Sequence, residues 1–312
     1  MRAPALLLCL VAASACSPSK VATKVLADNL SETGSSTVWS GDNDPELIKD
    51  SLPFALKTME SLLASQPDHV GLHAALASGF TSYAYGFVQQ DADMAEDTSL
   101  AAAQRGWARA KKMYRRAHQY AIRGLELKHP GFGAAFHKDA KAAAAALRLD
   151  DVELAYWAGA SLAAEIVLSK DQPELIAELP AVGELMNRLL VLDEDYGAGS
   201  VHEFMISYEG GRPTSMGGSV EKARKHFDRA VQLSGGNKAG PYVSWAETIA
   251  VQQQDAKLFH EMLDKALAVD VNKVPAYRLL NIITQNRARW LKGRAEDLIL
   301  TPDPAMENPE NP

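Results

Sequence analysis

The chain has 312 residues, 47% hydrophobic and 23% charged, with 32 Lys and Arg against 39 Asp and Glu for a net charge of −7. That length suffices for one large domain or two with a real core, and the acidic balance argues against a dedicated nucleic-acid partner. The locally basic runs "ARAKKMYRR" and "NRARWLKGR" interleave apolar residues at helical spacing and read as solvated helix faces.

Residues 1–16, "MRAPALLLCLVAASAC", have one positive charge at Arg2, an apolar run, and small residues ending on Cys16. The run is too short for a permanent membrane span and reads as a signal segment. Ala13-Ser14-Ala15-Cys16 resembles a bacterial lipoprotein signal, in which Cys16 receives the lipid; plain secretory cleavage near Ala15 is the alternative. The other cysteine, Cys9, lies inside the run, so beyond residue 16 there is no disulfide, cysteine nucleophile or thiolate metal site. Cys16 is the expected lipidation site. No Asp follows it, which by similarity to Gram-negative lipoproteins points to the outer membrane, facing the periplasm, with the lipid as the only membrane attachment.

Residues 17–44 are rich in Ser, Thr, Gly and Asp and read as a tether and lead-in segment. Asp44-Pro45-Glu46 is a helix start, with Asp44 capping and Pro45 in the first turn. From 45 to 300 helical patterns alternate with loops such as "SQPDH", "KHPGFG", "EGGRPTSMGGS" and "SGGNKAGP", and nothing shows sustained period-two alternation. The fold class is all-α. Residues 301–312, "TPDPAMENPENP", read as a disordered tail.

Within 45–300 a tetratricopeptide-like (TPR-like) pattern recurs. Its second helix carries a small residue, an aromatic four later and a small residue three after that, which lets helices approach closely around a filled groove. Ala110, Tyr114 and Ala117 fit it, as do Ala223, Phe227 and Ala230. Ala55, Met59 and Leu62 give another copy, with Pro67 where the unit's closing proline belongs, and Phe259, Leu263 and Ala266 are a poorer one. "HAALASGF", "VHEFMISY" and "YVSWAETI" resemble the first helix of the unit. The spacing between copies is not constant, so the expectation is an irregular helical repeat folding as an α-solenoid, with an irregular bundle as the alternative.

The stretch "ASGFTSYAYGFVQQ", residues 77–90, carries the sharpest functional hint. On a helix advancing about 100° per residue, Phe80, Tyr83 and Phe87 share one face, while Tyr85 points roughly 140° away from Phe80. A solenoid helix packs one face and presents another to a concave surface; a helix central to a domain is buried all round. Both readings of Tyr85 stay open. Together with Trp107, Tyr156 and Trp157, the residues Tyr83, Tyr85 and Phe87 are candidates for an apolar ligand lining with polar handles. Aromatics at helical spacing serve equally as plain core.

Catalytic constellations are thin. His202-Glu203 begins a zinc-protease motif, but Ile206 stands where its second histidine belongs. His69 and His73 are four apart with no carboxylate spaced to complete a metal site. Gly197 and Gly199 lack the preceding strand and third glycine of a dinucleotide fingerprint. The expectation is a non-enzyme with no cofactor and no metal.

Four segments carry a family resemblance: "LPFALKTMESLLASQPDHVGLHAALASGFTSYAYGFVQQ", "RAKKMYRRAHQYAIRGLELKHPGF", "DDVELAYWAGASLAAEIVLSKDQPELIAELP" and "LDEDYGAGSVHEFMISYEGGRPTSMGGSVEKARKHFDRAVQLSGG". Together they resemble the T-component (TatT) lipoproteins associated with tripartite ATP-independent periplasmic (TRAP) transporters, over roughly 45–300. Phe80 replaces the first tyrosine of the family's "GYxxYAYxFV"-like helix, and Ser161-Leu162 stands where Ala-Trp is common. The resemblance implies a periplasmic lipoprotein with cryptic TPR-like repeats that assembles as a homotrimer around a hydrophobic pore. It further implies that the assembly docks the periplasmic solute-binding protein of a TRAP system and passes a hydrophobic, possibly lipid-like, small molecule. His202, after Tyr196 and Gly199, is a recurrent family histidine, read as a helix-start hydrogen-bonding group or a polar group of the cavity. The competing function is a TPR-like adaptor for envelope assembly that binds a peptide or protein partner.

Overall fold

The computed structural model describes residues 26–29 and 37–300. The expected signal segment with Cys16, much of the lead-in and the 301–312 tail lie outside the described residues. Asp44 opens the first long helix, α1 (Pro45–Ser65): its carboxylate accepts a hydrogen bond from the Leu47 amide at 3.0 Å, and Pro45 fills the first position. The start read from Asp44-Pro45-Glu46 is where the helix begins.

The principal helices then follow as α2 (Val70–Tyr83), α3 (Leu100–Lys128), α4 (Val152–Val167), α5 (Leu179–Leu192), α6 (Ser200–Gly211), α7 (Val220–Leu233), α8 (Gly240–Trp245), α9 (Ala256–Leu267) and α10 (Arg278–Gly293). No strand occurs among the described residues, so the chain is all-α. None of these helices is long and apolar enough to cross a membrane. α2 runs on through a π-helical turn, Ala84–Gln89, into Gln90–Ala95, and α8 through a second one, Ala246–Ala250. A π turn widens the helix and shifts the phase of every side chain after it.

Helices adjacent in sequence are mostly neighbours in space: α2 packs on α1 and α3, α3 on α4, α4 on α5, α6 on α7, and α9 on α8 and α10. The small–aromatic–small triples lie at these seams. Ala110, Tyr114 and Ala117 are fully buried in α3, and Ala223, Phe227 and Ala230 are buried in α7. In α1 the buried positions are Ile48, Leu56, Met59 and Leu63; Ala55 and Leu62, each one residue and about 100° away from Leu56 and Leu63, are partly buried, and Leu62 packs against the edge of the cluster.

Three apolar clusters result: one among α1, α2 and the middle of α3, one around α4 and α5, and one among α6 to α10. The chain then closes on itself. Ile283 of α10 is buried in the N-terminal cluster, and Arg278 donates to the Gly41 carbonyl at 2.8 Å.

The lead-in departs from its turn-like composition. Residues 26–29 and Thr37–Ser40 are short helical turns, Ala27 is buried, and Trp39 packs against the N-terminal cluster. Docking of these apolar side chains overrides the weak local preference of Ser, Gly and Asp for turns.

Candidate functional site

Tyr85 lies in the first π turn and is 47% exposed, while Phe80, Tyr83, Phe87 and Val88 on either side are buried. Burial nevertheless pushes its phenol up to about 12, with the Arg287 charge opposing that shift and Glu247 and Glu203 adding to it. A side chain that solvent reaches and that protein still desolvates stands on the wall of a concavity.

That concavity is a narrow cleft, with about 30 Å³ open to a water-sized molecule, lined by Tyr85 and Gln90 from the α2 extension, Glu203 from α6, Gly240, Val243 and Ser244 from α8, and Leu280, Thr284 and Arg287 from α10. Helices from early and late in the described chain therefore meet there. The lining mixes polar and apolar groups where the aromatics alone suggested a greasy wall. Chain closure by α10 adds Thr284 and Arg287 to that polarity.

Arg287 is the electrostatic hinge of the cleft. Its guanidinium donates to Glu247 in the second π turn at 2.6 Å and to Asp93 at 2.9 Å. The Trp107 indole donates to the other Asp93 oxygen at 2.7 Å. The two carboxylates hold Arg287 firmly cationic against the cost of burial. Both π turns thus contribute to one site, Tyr85 from the first and Glu247 from the second.

Glu203 is the counterpoint. Its carboxyl lies against Gly240, where an added Cβ would overlap it, and it makes no hydrogen bond among the described residues. Burial raises its pKa, and Lys238 only partly offsets this. The Lys238 ammonium is committed elsewhere: it donates to the Gly197 carbonyl and, at 3.0 Å, to the Ser200 hydroxyl. Burial lowers its pKa, with Glu203 opposing the shift.

The candidates named from sequence fall into three places. Tyr85 lines the cleft. Tyr156 and Trp157 are half-buried and pack edge-to-face at 5.0 Å, with Tyr196 5.1 Å from Tyr156. Burial raises the Tyr156 phenol, with the charges of Glu203, Tyr196 and Tyr85 adding to the shift, and all three aromatics pack against the cluster around α4 and α5, outside the cleft lining.

Tyr83 and Phe87 depart from the lining expectation: they are 6% and 7% exposed and pack in the N-terminal cluster, on the same face as Phe80. Trp107 also departs from it, since its indole is spent on positioning Asp93. His202 is buried between α6 and α7, its Nδ1 2.9 Å from the Nδ1 of His226 and its Nε2 3.5 Å from Glu194. It belongs to a helix seam and is absent from the cleft lining.

Reading the sequence missed Gln90, Glu203, Thr284 and Arg287. "HEF" drew attention to Glu203 only as part of a failed zinc motif, and Arg287 lay in a run read as a solvated face. Among the described residues no group of three or more His, Cys, Asp or Glu side chains is arranged to hold a metal ion.

Comparison with known proteins addresses the whole helical body. Residues 41–299 match the family model described as TRAP transporter T-component. The chain is also 31% identical over 277 residues to an uncharacterized protein of Treponema pallidum (strain Nichols), covering 87% of this chain and 85% of that one. The chain belongs to the TRAP transporter T-component family, whose members are associated with TRAP transport systems.

Proposed function

We infer that the protein is a non-enzymatic scaffold and conduit of its TRAP system. A lipid on Cys16 holds a body of degenerate TPR-like hairpins at the periplasmic face of the outer membrane. Copies associate as a homotrimer, and the assembly docks the periplasmic solute-binding protein and passes an apolar ligand. One observation supports this reading above the rest: Tyr85 is a large aromatic left half exposed on the wall of a cleft formed by helices from early and late in the chain.

The physical rationale is desolvation. An apolar solute in aqueous periplasm forgoes about 25 cal/mol for each Å² that stays wetted, and a protein path linked to a carrier removes much of that surface from water.

Organic extraction of protein purified without detergent, followed by mass spectrometry, is expected to yield a co-purifying apolar molecule. Tyr85→Asp and Trp157→Asp are expected to lose it while the trimer persists in light scattering. A clean blank from the native protein removes the conduit reading, and loss of the trimer in both variants identifies those two side chains as packing residues. The anchor is tested separately: metabolic labelling with a fatty acid is expected to mark the native protein and not Cys16→Ser, and label on both or neither refutes lipidation at Cys16.

A further inference from the structure

Between Leu100 and Leu125 the long helix α3 carries seven cations and no carboxylate, in a chain whose net charge is −7. Five of the seven fall on one line. Arg105, Arg109, Lys112, Arg116 and Arg123 lie within about 60° of arc around the helix, and all five are exposed. The ridge they form runs roughly 27 Å, at about 1.5 Å of rise for each residue. Few carboxylates answer it. Arg116 lies 3.6 Å from Glu60, which Lys57 and the Tyr120 hydroxyl already engage, and Arg123 lies 3.8 Å from Asp68. Arg105, Arg109 and Lys112 pair with no carboxylate among the described residues, while the flanking Arg115 is taken by Glu165 at 2.6 Å. A solvated helix face commonly interleaves both signs of charge; this one keeps a single sign along its length.

The ridge has an apolar neighbour. Lys57 and Arg116 share Glu60, so α1 runs beside α3 here and Lys57 extends the basic surface. One turn before Lys57, Phe54 is 79% exposed. The hydroxyls around it are turned back on their own helix: Thr58 donates to the Phe54 carbonyl and Ser61 to the Lys57 carbonyl, each at 2.9 Å. Cations with an exposed aromatic beside them have the chemistry of a surface that rests in the headgroup layer of a bilayer.

The path of the N-terminal segment favours a bilayer over an acidic protein as the partner. Asp28 lies 2.9 Å from the His69 Nε2, and the adjacent Asp68 is the carboxylate paired with Arg123. The N-terminal segment therefore joins the body at the Arg123 end of the ridge. From Cys16 to Leu26 the chain can reach at most about 35 Å, comparable to the length of the ridge. Residues 17–25 include Lys20 and Lys24 and no carboxylate. A lipid on Cys16 thus brings the ridge to the membrane along a wholly basic path, a continuity that no soluble acidic partner supplies.

We propose that the α3 ridge, with Lys57 and Phe54 beside it, docks on the anionic phospholipid headgroups of the membrane that the Cys16 lipid enters. The inference rests on the lipid-anchor reading above and adds a second contact, which sets the face that the body turns to the membrane. Each Lys or Arg near anionic headgroups is attracted to them, and the acidic remainder of the molecule is repelled.

The test binds the native full-length protein to two kinds of vesicle, phosphatidylcholine alone and its equal mixture with phosphatidylglycerol. Flotation reports binding to each. A water-soluble acetylating reagent then modifies accessible lysines, and mass spectrometry reads each position. Lys112 is expected to react at least about fivefold more slowly on the anionic vesicles, and Lys225 of α7 at the same rate on both. High salt is expected to restore Lys112 to its rate on phosphatidylcholine. So is the double variant Arg105→Gln, Arg109→Gln, which breaks no ion pair among the described residues. Equal rates for the native Lys112 on both vesicles would overturn the docking. Protection that persists in the double variant, or that extends equally to Lys225, would overturn it as well. Protein that floats with the anionic vesicles and not with phosphatidylcholine would refute the lipid anchor and leave the ridge standing. Protein that floats with neither would refute both.

Discussion

His202 and His226 pack ring to ring at the seam of α6 and α7, their Nδ1 atoms 2.9 Å apart. One nitrogen must donate and the other accept. Glu194, 3.5 Å from the His202 Nε2, favours a proton there and leaves the His202 Nδ1 as acceptor for His226. A second proton has no comfortable place. Burial lowers both imidazoles, that of His226 to about 4, and for His226 the His202 and Lys222 charges add to the effect. For His202 the nearby Glu194 and Asp195 oppose the shift and Arg229 adds to it.

These shifts fix the sign of the pH dependence. Between about 6.5 and about 4 the unfolded chain binds protons on these rings that the folded chain refuses. Stability from this pair is therefore complete above about 6.5 and lost as pH falls through that window. Denaturant unfolding at pH 7 and pH 5 is expected to show the native protein losing on the order of 2 kcal/mol more than His226→Phe. Equal losses in the two proteins would show that the seam does not titrate.

At the scale of the helix, local signals wrote themselves into the sequence where one segment determines them. Asp44-Pro45 caps α1 because the cap involves residues three apart. The Ala-aromatic-Ala triples of α3 and α7 mark seams because only small residues let neighbouring helices touch around one large ring. The stripe Phe80, Tyr83, Phe87 is buried and Tyr85 is on the other side, as a simple helical wheel requires. The π turns left no comparable trace: nothing in "AYGFVQ" or "AETIA" differs in composition from an α-helix.

The cleft was hidden for a related reason. Gln90, Glu203 and Thr284 look like ordinary polar positions on helices, and their common meeting place depends on α10 returning to α2 across nearly two hundred residues. Glycine placement shows how tight such returns are. A Cβ on Gly106 of α3 would come within 2.5 Å of the Ala92 Cβ and 3.3 Å of its Cα, so the α2 extension can lie against α3 only at a glycine. That contact positions Asp93, one residue further on, for Trp107 and Arg287.

For the whole molecule, the Arg287 cluster is where early and late helices are tied together. The cluster joins the α2 extension through Asp93, α8 through Glu247 and α3 through Trp107, linking the N-terminal and C-terminal apolar clusters by ion pairs largely shielded from solvent. Such a cluster costs desolvation to assemble, so it adds little net stability when complete and penalises heavily the loss of any one member. Arg287→Met would leave two carboxylates facing each other with no counter-charge, and a loss of about 3–5 kcal/mol is expected. The triple variant Arg287→Met, Asp93→Asn, Glu247→Gln removes the uncompensated charge together with the cation, and is expected to recover most of that loss. Thermal unfolding of the two variants beside the native protein reads the difference directly. If the triple variant is as unstable as the single one, the cluster serves through the shape and hydrogen bonding of its side chains, and the closure of the body is not electrostatic. If the single variant is as stable as the native protein, the return of α10 is held by Ile283 and its apolar neighbours alone.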